Sequence, residues 1–131
     1  MTTLLNRGRE ALHSRARSFS YAFQGWAYVL RTQRNAWIHA FVTLVVLALA
    51  FWLRLPRVEW AILLLTLMAV WMAELINTAL ESVVDLTMPD PHPLAKIAKD
   101  VAAAAVLVGA LAAVLIGLLI LGPPLWQRLW F

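Results

Sequence analysis

Three long apolar stretches alternate with short polar segments along the 131-residue chain. Residues 36–53 contain His39 as their only titratable side chain, and residues 101–121 contain none. Each stretch is about long enough to cross a hydrocarbon layer of ~30 Å as a helix. Residues 58–86 predict a helix of about 43 Å, so one end should extend beyond the hydrocarbon. The pattern predicts an all-α integral membrane protein with transmembrane helices at 36–53, 58–86 and 94–121.

The N-terminal region, residues 1–34, predicts a helix on the membrane surface in front of the three spans. In residues 18–34 apolar side chains recur every three or four positions and are followed by two arginines, which is typical of an interfacial amphipathic helix. Residues 1–17 show little periodicity and predict a short or frayed surface helix whose role the sequence leaves open. No second domain is visible, so we expect residues 1–131 to form a single membrane domain.

The composition supports a membrane protein and excludes an ordinary soluble domain, because 63% of the residues are hydrophobic and 14% are charged. The net charge of +4 comes from basic residues that adjoin apolar spans, so anionic lipid headgroups are the expected partner and nucleic acid is not. The N-terminal segment carries six Lys and Arg residues and the second loop two, against two in the first loop and one at the C-terminus. By the positive-inside rule, the N-terminus and the second loop should be cytoplasmic.

Polar residues interrupt the second span near its end, in the sequence AELINTALESVVD. The spacing of its acidic and amide side chains places them on one narrow face of a helix. Two further charged residues come just before the third span and should reach the same depth. Six polar side chains are therefore expected at one level: Glu74, Asn77, Glu81, Asp85, Lys99 and Asp100.

This arrangement indicates phosphoryl transfer at the membrane surface. Mg²⁺ usually takes one or two carboxylates together with phosphate oxygens and water, and an adjacent lysine adds a phosphate partner. Glu74, the carboxylate at lipid depth, is the candidate general base for a lipid hydroxyl. The chain contains no G-x-x-x-x-G-K-[ST] sequence, so a nucleotide would bind without a P-loop.

Two other interpretations stay open on this pattern. In the plainest, the carboxylates only solvate a helix end and pair with Lys96 and Lys99. In the other, the protein is a small membrane scaffold or a channel subunit whose polar face lines an ion path. A channel would need that face to continue across the membrane, whereas residues 60–73 offer no polar residue beyond Thr66.

Two motifs together closely resemble the signature of the prokaryotic diacylglycerol kinase family. They are ELINTALESVVD, which begins at Glu74, and HPLAKIAKDVAAAAVL, which begins at His92. The resemblance extends over residues 19–121, and RTQRNAWIH is similar to the Gram-positive branch, whose members often act on undecaprenol. It implies an integral membrane lipid kinase that phosphorylates undecaprenol or diacylglycerol from MgATP. It further implies a homotrimer at the cytoplasmic face of the bacterial inner membrane.

The resemblance also implies roles for individual residues. Glu74 corresponds to the catalytic base, and Asn77 to the residue that orients this base and the γ-phosphate. Glu81 corresponds to a metal ligand beside the nucleotide phosphates. Lys99 corresponds to the lysine that contacts the γ-phosphate, and Asp100 to a residue of the nucleotide site.

One position departs from the family pattern. Where the family commonly has a second metal-binding glutamate, two residues before the asparagine of RN, this chain has Gln33. A glutamine oxygen can coordinate a cation but adds no charge, so weaker metal binding is expected, and a catalytically impaired family member is a third alternative. Asp85 is a further candidate metal ligand, with a role that the motif leaves open.

Other features predict structural roles. Small residues recur at every fourth position of the third span and predict close helix packing or trimer contact. They are Ala105, Gly109, Ala113 and Gly117. His39 is expected to be a neutral, hydrogen-bonded residue near the interface rather than a ligand, and His92 a loop residue.

Overall fold

The computed structural model describes the backbone of residues 2–130 and the side chains of residues 17–130. Within this range it contains four helices and no strand: α1 (Thr2–Thr32), α2 (Arg34–Trp52), α3 (Arg57–Thr87) and α4 (Pro93–Trp130). The last three are each long and apolar enough to cross a membrane. The predicted fold class, an all-α membrane protein with three spanning helices behind an N-terminal helix, is confirmed.

The chain divides into two units, Met1–Arg34 and Asn35–Phe131. The first unit contains α1, which is one continuous helix from Thr2 to Thr32. The sequence predicts a separate short or frayed helix for residues 1–17, and this separation is not seen from Thr2 onward. Its aromatic side chains Phe19 and Phe23 are exposed, as an interfacial helix requires. The side chains of residues 1–16, with their arginines, lie outside the described residues. The single-domain arrangement stays a prediction.

A tight turn joins α2 to α3 and folds the second unit back on itself. Arg54 has a φ of 53°, in the left-handed region. Its N–H donates to the Phe51 carbonyl at 3.1 Å, and the N–H of Leu55 donates to the Ala50 carbonyl at 3.2 Å. This is the Schellman pattern of helix termination, which satisfies two carbonyls that the end of α2 would leave open. Pro56 then caps the start of α3 in extended conformation.

The core of the second unit lies next to this turn. Ala50, Leu55, Leu63 and Leu121 are buried and bring together the end of α2, the start of α3 and the second half of α4. Most other large apolar side chains of the three spans point outward. Such a surface would be unfavourable in water but suits hydrocarbon, so the fold is consistent with a membrane protein.

α4 is longer than the predicted third span. The span was expected to end two residues before Pro123, but the helix continues through Pro123 and Pro124 to Trp130. Prolines lack a backbone donor, yet membrane helices tolerate them where neighbouring groups compensate. The guanidinium of Arg128 lies 5.2 Å from the ring centroid of Trp52 on α2, a cation–π contact that helps hold the extension against the bundle.

The small residues on α4 do not pack closely within the chain. A Cβ added to Gly109 or to Gly117 would meet no neighbouring atom within 4 Å among the described residues. Among the described residues, the close packing that is one of the two predicted roles of this ridge is therefore not seen at these two glycines. Trimer contact through this ridge stays a prediction.

His92 is a loop residue, as predicted, and it caps the start of α4. Its Nδ1 accepts a hydrogen bond from the Leu94 N–H at 3.2 Å, and its carbonyl accepts one from the Lys96 N–H at 3.1 Å. The first bond satisfies a backbone donor that has no partner within the first turn of the helix, and the second is the first i→i−4 bond of α4. Pro93 takes the first helical position, where its missing N–H costs nothing. The cap fixes where α4 starts after the proline-rich link.

The turn at Arg54 yields a stability prediction. An L-residue in the left-handed region is disfavoured by about 1 kcal/mol relative to glycine, so Arg54→Gly should raise the free energy of unfolding by about that amount. Reversible unfolding in mixed detergent micelles measures the change. Arg57→Gly removes the same charge three residues later, at a helical position, and should give no gain. Equal effects of the two substitutions would contradict the explanation.

Candidate active site

Glu74 is the most deeply buried large side chain among the described residues. It is 1% exposed, although α3 offers apolar residues at most neighbouring positions. Asn77 and Thr78, one turn further, are also buried, and the Thr78 hydroxyl donates to the Glu74 carbonyl at 3.0 Å. A buried carboxylate is costly unless it is paired, so the surroundings of Glu74 decide what the site can do.

The group that faces Glu74 comes from α2. His39 Nε2 lies 3.7 Å from Glu74 Oε2, which is beyond hydrogen-bond distance, and the His39 side chain is 15% exposed. The edge of the His39 ring contacts Trp71, with ring centroids 6.1 Å apart. Trp71 Nε1 in turn donates to Thr43 Oγ1 on α2 at 3.1 Å. Sequence reasoning gave His39 no part in the site, although it is the one titratable residue of the first span.

Two oxygen atoms on this face are buried and have no hydrogen-bond partner among the described residues: Glu74 Oε2 and Asn77 Oδ1. The Asn77 amide is already used, because its Nδ2 donates to Glu81 Oε1 at 3.0 Å. Native proteins rarely leave buried acceptors unsatisfied, and each exception calls for an explanation. Here both oxygens are free to receive a donor or a cation from a ligand.

A second group of charged residues lies beyond this face, around the proline-rich link between α3 and α4. Lys99 Nζ lies 2.5 Å from Asp85 Oδ1, and Lys96 Nζ lies 2.5 Å from Asp100 Oδ2. The four side chains, with the link itself, line an open cleft of about 610 Å³. All four are more than a third exposed, so the cleft is open to polar molecules.

The residues predicted for the site therefore fall into two groups within the second unit. Glu74 and Asn77, with the half-buried Glu81 that Asn77 contacts, form the buried group. Asp85, Lys99 and Asp100 lie at the cleft. Gln33 belongs to the first unit, where its N–H donates to the Val29 carbonyl at 2.8 Å.

The plain interpretation, in which the carboxylates pair with Lys96 and Lys99, describes Asp85 and Asp100 but not Glu74.

The channel interpretation needs a polar face that reaches the other membrane surface, and the polar face of α3 stops short of it. The Thr66 hydroxyl, which a channel would need, donates to the carbonyl of Ile62 on its own helix at 2.8 Å. The structure thus gives no polar path along α3 between Thr66 and the turn at Pro56.

The buried group fits a hard cation in its chemistry. Its unsatisfied atoms are oxygens, and Glu81 adds a carboxylate to them. No three His, Cys, Asp or Glu side chains of residues 17–130 lie close enough together to enclose an ion. Mg²⁺ does not require such a cage, since it usually combines one or two carboxylates with phosphate oxygens and water. The donors suit a metal that arrives bound to phosphates.

Comparison with known proteins identifies the family. Residues 20–121 match the family model described as prokaryotic diacylglycerol kinase. This match covers most of the chain, so the protein belongs to the prokaryotic diacylglycerol kinase family, as its two motifs predict. The enzyme class predicted from the sequence, a lipid kinase, is the class that the family name denotes.

Several curated relatives carry the same kind of name. A diacylglycerol kinase of Synechocystis is 52% identical over 109 residues, which are 82% of this chain and 62% of the relative. The undecaprenol kinase of Bacillus subtilis is 43% identical over 117 residues, or 89% of this chain and 95% of the relative. The diacylglycerol kinase of Escherichia coli K12 is 32% identical over 104 residues, which are 74% of this chain and 85% of the relative. The chain thus spans less than two thirds of the Synechocystis protein.

The unsatisfied oxygen of Asn77 leads to a stability prediction. Asn77→Leu removes a buried acceptor without a partner and should leave the free energy of unfolding unchanged or raise it by about 1 kcal/mol. Thr78→Val is the matched control, because it removes a buried hydroxyl that is satisfied and should lower the same quantity by about 1 kcal/mol. Unfolding in mixed micelles compares the two. A larger loss for Asn77→Leu would show that Asn77 serves mainly to stabilise the fold.

Proposed function

We propose that the protein is an ATP-dependent kinase that phosphorylates the hydroxyl of a membrane lipid alcohol. The observation that carries the proposal is Glu74, a buried carboxylate with an oxygen left unsatisfied, on a membrane-spanning helix of a diacylglycerol kinase family member. A structural carboxylate would be expected to have its partners within the chain. A carboxylate that completes its hydrogen bonds only when the substrate is present fits a catalytic base.

Glu74 acts as the general base in this proposal. It lies about 26 Å along α3 from Arg57, so in a hydrocarbon layer of ~30 Å it reaches the depth at which a lipid hydroxyl meets the headgroups. The lipid enters sideways from the bilayer. Its oxygen attacks the γ-phosphorus of ATP, the bond to the ADP oxygen breaks, and the hydroxyl proton passes to Glu74. Asn77, one turn further along α3, is assigned the role of orienting the base from the motif alone, and its amide donates to the neighbouring Glu81.

The nucleotide is proposed to occupy the cleft at the proline-rich link. Lys99 is the cation for the γ-phosphate, and Asp85 keeps it at the cleft until the triphosphate arrives. Asp100 belongs to the same nucleotide site. Glu81, with the Asn77 carbonyl oxygen beside it, would hold Mg²⁺ that enters with the phosphates, and the ion would neutralise their charge. Asp85 is less suited to this ion, since its carboxylate is engaged by Lys99.

The remaining parts of the proposal concern substrate, assembly and location. Undecaprenol is the preferred acceptor and diacylglycerol the alternative, since relatives bear both names. A homotrimer would supply neighbouring chains to the site and to the small-residue ridge of α4. The protein lies in the bacterial inner membrane with its N-terminus and second loop in the cytoplasm, where ATP is available and where most of its Lys and Arg residues would face.

Phosphate transfer tests the proposal directly. Purified protein in lipid nanodiscs, supplied with MgATP labelled in the γ-phosphate, should label undecaprenol, diacylglycerol or both. Glu74→Gln should lower kcat by at least a factor of about 10²–10⁴, because it removes the proton acceptor. Glu59→Gln, a carboxylate in the first turn of the same helix, is the control and should leave kcat unchanged. Full activity of Glu74→Gln would show that another group is the base.

Gln33 provides a separate test of metal binding. If the glutamine weakens the site, Gln33→Glu should lower the Mg²⁺ concentration needed for half-maximal activity, since a carboxylate adds charge that a carboxamide lacks. Gln24→Glu, on the same helix, is the control for added negative charge and should leave that concentration unchanged. Titration of activity with Mg²⁺ at fixed ATP measures both. No difference between the variants would mean that Gln33 takes no part in binding the ion.

A further inference from the structure

His39, which faces the general base Glu74, has no part in the chemistry described so far. Both side chains are largely buried, and His39 Nε2 on α2 lies 3.7 Å from the unsatisfied Glu74 Oε2 on α3. At this distance the two atoms form no hydrogen bond, but a shift of under 1 Å would make one. Catalytic hydrogen bonds are often long without substrate and shorten in the productive complex.

A second contact between the same helices fixes the place of the His39 ring. Thr43 lies one turn after His39 on α2, and Trp71 lies one turn before Glu74 on α3. The indole N–H of Trp71 donates to the Thr43 hydroxyl at 3.1 Å, and the edge of the His39 ring packs against Trp71. Two cross-helix contacts one turn apart hold the imidazole beside the carboxylate. A residue that only filled space would not require this support.

We propose that His39 is a positioning residue for the base. In the substrate complex its Nε2–H donates to Glu74 Oε2 and holds the carboxylate so that its other oxygen, Oε1, faces the lipid hydroxyl. The hydroxyl proton then passes to Oε1 as the new O–P bond forms and the bond to ADP breaks, while His39 keeps its own proton. This role rests on the proposed kinase function and adds a residue from α2 to a site otherwise built from α3 and α4.

Two substitutions separate hydrogen-bond donation from space filling. His39→Gln keeps an N–H donor near the position of Nε2, whereas His39→Leu keeps the bulk and removes the donor. His39→Leu should lower kcat by roughly 10- to 100-fold, as expected for a misplaced catalytic group, with the KM for MgATP unchanged. His39→Gln should recover kcat to within a few-fold of the wild-type value. Ile38→Ala, an exposed neighbour, should retain wild-type kinetics.

Thermal unfolding and gel filtration of each variant separate loss of function from loss of fold. If folded His39→Leu keeps the wild-type kcat, or if folded His39→Gln loses as much as His39→Leu, the proposal is overturned. If His39→Leu does not fold, the comparison of His39→Gln with His39→Asn decides instead, because the shorter amide cannot reach Oε2. Equal kcat values for these two amides would also overturn it.

Infrared spectroscopy tests the contact independently of activity. Subtraction of the Glu74→Gln spectrum from the wild-type spectrum isolates the Glu74 carboxyl band, and His39→Leu should shift this band. In a protein that already carries Glu74→Gln, adding His39→Leu should leave the carboxyl region of the spectrum unchanged. An unshifted band would overturn the contact. If the wild-type protein phosphorylates no lipid alcohol, the kinase proposal fails and the positioning role with it, whereas a band shift would still establish that His39 bonds to Glu74.

Discussion

The burial of the Glu74 carboxylate between two membrane helices is the constraint on which the rest of the site depends. The three spans bury few side chains, and among the large ones the deepest is this acid rather than a leucine or a phenylalanine. Its cost is not fully met among residues 17–130, since Oε2 has no hydrogen-bond partner there and His39 stands 3.7 Å away. An arrangement of this kind lowers stability but leaves the carboxylate able to complete its hydrogen bonds when a substrate binds.

The site is divided between a buried part and an open part, and this division matches the two substrates of a lipid kinase. Glu74 and Asn77 lie inside the helix bundle at the depth where a lipid hydroxyl would arrive. Asp85 and Lys99 lie at an exposed cleft beside the proline-rich link, where a polar nucleotide would have access. Glu81 comes between them along α3 and is tied to the buried part by Asn77. One helix therefore joins the proposed lipid side to the proposed nucleotide side.

Most of the fold was accessible from the sequence, because a hydrocarbon environment permits few solutions. Apolar runs of sufficient length must be helices there, since every backbone group has to be satisfied within the segment. The positions of α2 and α3 follow from this rule to within two residues of the predicted bounds. α4 continues through Pro123 and Pro124 to Trp130, past the predicted end of the third span at residue 121. Packing of Arg128 on Trp52 is a contact between distant parts of the chain, which no local pattern reveals.

The sequence by itself determined which polar residues share a face of α3, because helical spacing fixes direction, and its motifs determined the family. Only the tertiary structure decided how each of these residues is paired. It buried Glu74 opposite His39, joined Asn77 to Glu81, and engaged Lys99 with Asp85 rather than with the buried acids. The physical reason is that spacing along one helix sets where a side chain points, whereas its partner depends on the rotation and depth of the neighbouring helices.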